Sequence, residues 1–263
     1  MVVCGDGMEL NQDYVSDTTY KMRNKKKKSV VLFICITGIC FLVTRMVRVE
    51  DKTTVKVHNM HTEQNEKAIR YVASNMIKED PKIAITFDDG PSPTWTPLLL
   101  DGLKERNVKA TFFLIGENAK NNPELVKREA EEGHLIGNHT YHHVEITRVP
   151  DETAQEEILT TNEVITGITG EEVSYMRPPF GVWQKNLERK LDVMPVLWTI
   201  DPLDWTTDNE DEIINKVVTQ AGENDIILLH DCYESSVNAA LRIVDILQKE
   251  GFEFVTVDEL IMN

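Results

Sequence analysis

Seven short apolar runs, separated by stretches with helical spacing, constrain the fold of this chain more than any other feature. The runs are IAITF (83–87), ATFFLIG (110–116), HLIGNH (134–139), VSYMRPP (173–179), MPVLWTI (194–200), DIILLH (225–230) and FEFVTV (252–257). Most are continuous rather than alternating, as in parallel strands covered on both faces. Between them, residues 96–107, 123–132, 151–166, 209–221 and 236–249 read as amphipathic helices. Strand–helix alternation of this kind specifies an α/β sheet or barrel. Seven strands favour a closed, irregular (β/α) barrel over a perfect eightfold one. No internal repeat of about 20–50 residues is apparent.

Polar residues collect where these strands end. Asp88 and Asp89 follow the first run, His139 ends the third and Arg177 the fourth, Asp201 and Asp204 follow the fifth, and His230 and Asp231 close the sixth. In an α/β barrel that edge gathers loops distant in sequence around one site. A random scatter of charges would not select one edge.

Two of these clusters carry the chemistry of a metal hydrolase. In TFDDGPS (86–92) two adjacent carboxylates precede a Gly-Pro turn. On extended backbone adjacent side chains diverge, so one aspartate is free to bind a metal while the other faces a water; a plain Asp-Gly-Pro turn is the competing reading. In GNHTYHH (137–143), His139 and His143 stand four apart, and one helical turn would put both imidazoles on one face. His142 would then point to solvent. One carboxylate and two imidazoles make three ligands with positions left open, the pattern of a catalytic rather than a structural metal. Amide or ester hydrolysis also needs a base for water and an acid for the leaving group, and Asp88 and His230 are the candidates.

TFDDGPS, HTYHH, RPPFG (177–181), DPLDW (201–205) and LLHD (228–231), in that order, resemble the five motifs of the polysaccharide deacetylase family, the NodB-homology group or carbohydrate esterase family 4. ATFFLIGEN (110–118) and FVTVDELI (254–261) are similar to that family as well. The similarity covers about residues 80–263, a catalytic domain of the irregular-barrel type. It implies that Asp88 is the general base, that Asp89, His139 and His143 hold one divalent ion, and that Arg177 pairs with Asp88 and orients it. It further implies that the Phe180 backbone N–H helps hold the oxyanion, and that His230, hydrogen-bonded to Asp204, protonates the leaving nitrogen. Trp205 and Leu228 would wall the acetyl pocket. Zinc suits the ligand set best; cobalt, nickel and manganese are tolerated. Many relatives have Tyr at Phe180 and serine at His142. Both aspartates of the first motif are present, which disfavours the muramic-lactam-forming variety, where the second is Asn.

The N-terminal part reads differently. Lys25–Lys28 precede a 15-residue apolar run, Val30–Thr44. Spanning helices typically need about 20 residues; Ser29 and Met46–Val47 extend the run, with Arg45 and Arg48 snorkelling outward. This predicts a cytoplasmic basic tail (1–28), a transmembrane signal-anchor (29–47) and a stalk (48–79), with the body outside under the positive-inside rule. A cleaved signal is the rival, but no small-x-small site follows the run. Cys4, Cys35, Cys40 and Cys232 leave the body without a pair to bridge.

Residues 1–50 carry 8 Lys/Arg against 5 Asp/Glu, whereas the whole chain has a net charge of -16, so the body is strongly acidic. Such a body repels phosphate backbones, and nucleic acid is excluded as a partner. The expected partners are an N-acetylated glycan polymer and the membrane, with no obligate protein partner. The function that follows is N-deacetylation of N-acetylglucosamine units in an extracytoplasmic polysaccharide, with peptidoglycan ahead of chitin-type oligomers. An O-acetyl esterase on xylan-type glycans and an inactive membrane-anchored glycan-binding protein remain as alternatives. Trp95 and Trp183 either stack on sugar rings or pack.

Overall fold

The computed structural model describes residues 80–187 and 190–262. The expected tail, signal-anchor and stalk lie outside the described residues, and among the described residues no helix is long and apolar enough to cross a membrane.

Seven parallel strands form one sheet, with helices between them. The elements run β1 (Lys82–Asp88), α1 (Thr96–Glu105), β2 (Thr111–Leu114), α2 (Gly116–Asn121), α3 (Pro123–Glu131), β3 (Leu135–Asn138), α4 (Asp151–Thr169), β4 (Tyr175–Met176), β5 (Met194–Pro195), α5 (Glu210–Val218), β6 (Ile226–His230), α6 (Glu234–Lys249), β7 (Glu253–Phe254) and α7 (Val257–Met262). Short 3-10 turns occupy Pro179–Gly181 and Asp204–Thr206. The strand order is β5-β4-β3-β2-β1-β6, and β7 pairs with the start of β1.

The result is a parallel half-barrel rather than the fully closed barrel expected. Between β5 and β6 the ladder shrinks to a single bridge, Ile200 with Ile227. The physical reason lies in the fourth and fifth runs. Regular pairing in VSYMRPP stops at Met176 because the two prolines that follow offer no N–H. In MPVLWTI it stops at Pro195.

Helix ends follow local chemistry. Pro97 sits in the first turn of α1, Asn209 caps α5 by accepting from the Glu212 N–H, and Gly170 (φ 79°) terminates α4. The six-residue helices α2 and α7 were not expected; each is too short to show a full amphipathic repeat.

Strand alternation divides the interior in two. Ile83, Ile85 and Phe87 of β1, with Ile227 and Leu229 of β6, join Leu99, Leu103, Ile243 and Leu247 of the covering helices in the main core. Helix α6 approaches α1 so closely that a Cβ on Gly102 would meet the Leu241 side chain at 2.5 Å. The opposite strand face carries Ala84, Phe113, Val196 and Ile226, packed against Val257, Leu260 and Ile261 of α7. Period-two geometry continues that inner face along β1 to Thr86 and Asp88, and along β6 to Leu228 and His230. Each of these strands therefore delivers a polar side chain to the C-terminal mouth of the half-barrel.

Candidate active site

Asp88 is the last residue of β1, and its register partner across the sheet is His230, the last of β6. Asp89 follows with φ 72°, left-handed backbone that a non-glycine residue rarely adopts. This corrects the expectation of diverging side chains. The left-handed turn brings both carboxylates to one centre, with His139 Nε2 at 3.9 Å from Asp88 Oδ2 and 3.3 Å from Asp89 Oδ1.

The histidine pair also meets, but not on a helical turn. Residues 139–143 form an irregular loop in which Thr140 (φ 62°) and His143 (φ 56°) are left-handed. The loop folds the two rings to a centroid separation of 5.0 Å, with His143 Nε2 3.5 Å from Asp89 Oδ1. Ligand atoms of Asp89, His139 and His143 lie within 4.8 Å of one another.

These three residues fit a divalent cation. Asp89 Oδ1 is buried without a hydrogen-bond partner, an expensive state for a carboxylate oxygen unless a cation meets it. His139 Nδ1 donates to the Arg177 carbonyl at 2.7 Å, which turns Nε2 toward the cluster as a lone-pair donor. Burial pushes the His143 imidazole down to about 4, helped by neighbouring His139, so its lone pair stays available. Burial opposes charge on His139 too, but Asp88 and Asp89 outweigh it and push that imidazole up. Burial would likewise raise Asp89, yet the imidazole of His139, with Nε2 3.3 Å away, and the charge of His230 hold it well below the usual carboxylate range. Both shifts say that the centre calls for positive charge, which a bound cation supplies in place of a proton.

On one side of this cluster sits a buried ion pair. Arg177 Nη1 donates to Asp88 Oδ1 at 2.8 Å and to Thr86 Oγ1 at 2.7 Å. Its Nε and Nη2 reach the carbonyls of Val196 and Leu197, and its guanidinium lies 4.3 Å from the Phe113 ring centroid and 5.7 Å from that of Trp198. Thr86 in turn donates to the Ile227 carbonyl at 2.6 Å. Burial pulls the guanidinium pKa down from its usual value while Asp88 opposes the fall.

On the other side is a His–Asp pair. His230 Nδ1 donates to Asp204 Oδ1 and its backbone N–H to Asp204 Oδ2, both at 2.8 Å. With Nδ1 engaged, Nε2 is the ring nitrogen left to exchange a proton. Burial alone would lower the imidazole pKa; Asp204, with smaller help from Asp89 and Asp88, pushes it up to about 10.

Phe180 (φ 61°) lies in the 3-10 turn after Arg177 with its ring 4.9 Å from His143. Phe180 and Trp205 are exposed, while Leu228 is buried one strand repeat below His230. All ten residues singled out in the sequence thus fall on the C-terminal side of the sheet.

Others have plainer places. The Asp201 carboxylate accepts the Leu203 N–H at 2.8 Å, a turn role. Trp183 is buried in a satellite core with Ile146, Ile158 and Met176, and Trp95 packs against the main core. His142 is exposed, as expected, but donates from Nδ1 to Glu157 at 2.7 Å.

Sequence reasoning passed over Thr86, Phe113, Trp198 and Glu157, which surround the site rather than line it. Glu157 alone left a signal. It falls on the inward stripe of α4 with Ala154, Ile158, Thr161 and Ile165, where a carboxylate is out of place unless it has partners.

Comparison with known proteins gives the chain relatives of one family. A polysaccharide deacetylase family model matches residues 75–196. A peptidoglycan-N-acetylglucosamine deacetylase of Listeria monocytogenes is 37% identical over 216 residues, 80% of this chain and 46% of that protein. The chain thus spans about half the length of that relative. A peptidoglycan-N-acetylglucosamine deacetylase of Bacillus cereus is 39% identical over 199 residues, 73% of this chain and 93% of that protein. The solved structure of a peptidoglycan deacetylase from Bacillus subtilis superposes with a TM-score of 0.68 at 37% identity, covering 69% of this chain and 90% of that one. At 39% identity over nearly the full length of a relative, and with the same fold, this chain belongs to the polysaccharide deacetylase family of hydrolases.

Proposed function

We propose that this chain is a metal-dependent N-deacetylase of amino-sugar polymers, acting on N-acetylglucosamine in peptidoglycan from the outer face of a membrane. The observation that carries the reading is the Asp89–His139–His143 cluster set between two proton-handling pairs, Arg177–Asp88 and Asp204–His230. Asp89, His139 and His143 would hold one divalent ion, and two imidazoles with one carboxylate suit zinc. Such an ion, when bound, lowers the pKa of a nearby water and polarises the acyl oxygen.

The chain's own groups supply the rest. Arg177 pairs with Asp88 and keeps it aimed at the centre, so that Asp88 can take the proton from the attacking water. The Phe180 backbone N–H assists the developing oxyanion. His230, kept protonated by Asp204, delivers a proton from Nε2 to the leaving nitrogen as the C–N bond breaks. The net change is acetamide plus water to acetate plus a free sugar amine. Leu228 and Trp205 wall the space for the acetyl methyl.

A proton held on His230 beside Asp204 suits an amide better than an ester. An amine cannot leave without protonation, whereas an alkoxide is a far better leaving group. The choice of polymer rests on the relatives, which are peptidoglycan deacetylases of Listeria monocytogenes, Bacillus cereus and Bacillus subtilis. The membrane location rests on Lys25–Lys28 followed by the apolar run Val30–Thr44.

The test is acetate release by the purified full chain from peptidoglycan, chitin oligomers and acetylated xylan, each with and without chelator. Chelator-sensitive release from peptidoglycan is expected. Release from xylan alone, or release indifferent to chelator, would overturn the reading.

A further inference from the structure

The loop that carries both histidines of the cluster has no regular structure, so its backbone groups must be held by something else. Two of its carbonyls are taken by the first turn of α2, where the Gly116 N–H donates to Thr140 and the Glu117 N–H to Tyr141, at 2.9 and 3.0 Å. The packing there is tight enough that a Cβ on Gly116 would meet Thr161 Oγ1 at 2.5 Å and Tyr141 Cδ2 at 2.6 Å. Its amides go to side chains. The Thr140 N–H donates to Asn138 Oδ1 at 2.7 Å, and Asn138 is itself tied to α4 through the Ile158 carbonyl and Asn162. The next two N–H groups, of Tyr141 and His142, converge on Glu157 Oε2 at 2.9 and 2.7 Å, while His142 Nδ1 donates to Oε1 of the same carboxylate at 2.7 Å.

We propose that Glu157 is a positioning residue for the metal centre: its carboxylate clamps Tyr141 and His142 and thereby sets His139 and His143 at ligand spacing. The inference rests on the metal reading above and extends it to a residue that touches neither ion nor substrate. The left-handed residues Thr140 and His143 flank the two clamped amides, so the strained turn is over-determined where Glu157 grips it. Outer-shell groups of this kind are typically worth about 10–100-fold in metal affinity. His142 gives the clamp a third anchor, which a shorter side chain would not supply.

The experiment is zinc affinity by chelator competition on the full chain, with folding checked by circular dichroism and melting of the metal-free protein. Glu157→Ala should weaken zinc binding by about 10–100-fold. Glu157→Gln should recover most of the loss, because its Oε1 can still accept both N–H groups and its amide can donate to a neutral His142. Glu163→Ala, an exposed carboxylate on the same helix, should bind zinc as wild type does and so removes bulk charge as the cause. Where the alanine variant does not fold, Glu157→Asp, which withdraws the carboxylate by one methylene, should still lower affinity several-fold. Wild-type affinity in a folded alanine or aspartate variant overturns the clamp, as does a glutamine variant no better than alanine. Absence of zinc binding by wild type would instead remove the metal reading itself.

Discussion

Arg177 and Asp88 meet in the interior, Nη1 to Oδ1 at 2.8 Å, with the arginine fully buried and the aspartate 3% exposed. A buried ion pair holds only where remaining donors are satisfied. Here Thr86, Val196 and Leu197 take them, and Phe113 faces the guanidinium. Lysine, a point charge without the planar fork, cannot reproduce this set. Arg177→Lys keeps the charge but leaves buried acceptors unpaired, and should cost about 1–3 kcal/mol of stability. Urea denaturation measures it, and a loss below about 1 kcal/mol would show that the pair is not organised as described.

Asp88→Asn keeps the shape of that arrangement and removes the basic oxygen. It should lower kcat by on the order of 10²–10⁴ while zinc stoichiometry and glycan binding stay unchanged. Steady-state kinetics beside metal analysis separates the two effects. Substantial remaining turnover would assign the base elsewhere.

Asp89→Ala should act on the metal as well as on turnover, since Asp89 Oδ1 lies in the candidate cluster without a hydrogen-bond partner. Bound metal and activity should vanish together, and the thermal stabilisation that zinc confers on wild type should vanish with them. A variant that retains stoichiometric zinc would refute the ligand assignment.

Much of this was legible in the sequence because strand ends announce themselves. A continuous apolar run that breaks at a charged residue marks both the strand and its mouth, as at Asp88 and His230. The spacing of His139 and His143 correctly paired them but for the wrong reason: a four-residue interval also closes through two left-handed residues, which no periodicity reveals. The divergence of Asp88 and Asp89 failed similarly, because Asp89 leaves the strand conformation at the very next residue. Contacts made by backbone atoms, such as the Tyr141 and His142 N–H groups on Glu157, leave no mark on residue identity at their donors.

The His230–Asp204 pair gives a pH dependence with a definite sign. The folded pKa is raised to about 10 against 6.5 for the free side chain. The pair's stabilisation is therefore complete below about 6.5 and is lost as pH rises from there through about 10. Asp204→Asn removes the nearest anion and should flatten that decline. It should also move the alkaline limb of kcat down by at least about one pH unit. Denaturation midpoints across that range, beside a pH–rate profile, read both effects; an unmoved limb would rule out His230 as the acid.

Glu129 presents the opposite case, a charge-bearing group that stability does not want. It is fully buried on α3, and neither carboxylate oxygen has a hydrogen-bond partner. Burial, reinforced by the neighbouring Asp231 carboxylate, pushes its pKa well above 4.5. A raised carboxyl pKa means the folded state holds the proton longer than the unfolded state. Its contribution is thus most favourable in acid and falls once pH exceeds the unfolded value near 4.5. Glu129→Leu, of similar volume and without polar atoms, should stabilise the protein by roughly 1–3 kcal/mol at neutral pH, with a gain that shrinks as pH falls toward 4.5. Thermal melts of both proteins between neutrality and that value measure it. A leucine variant that melts lower at neutral pH would mean that Glu129 has a partner in solution, a bridging water or a cation, that offsets its burial.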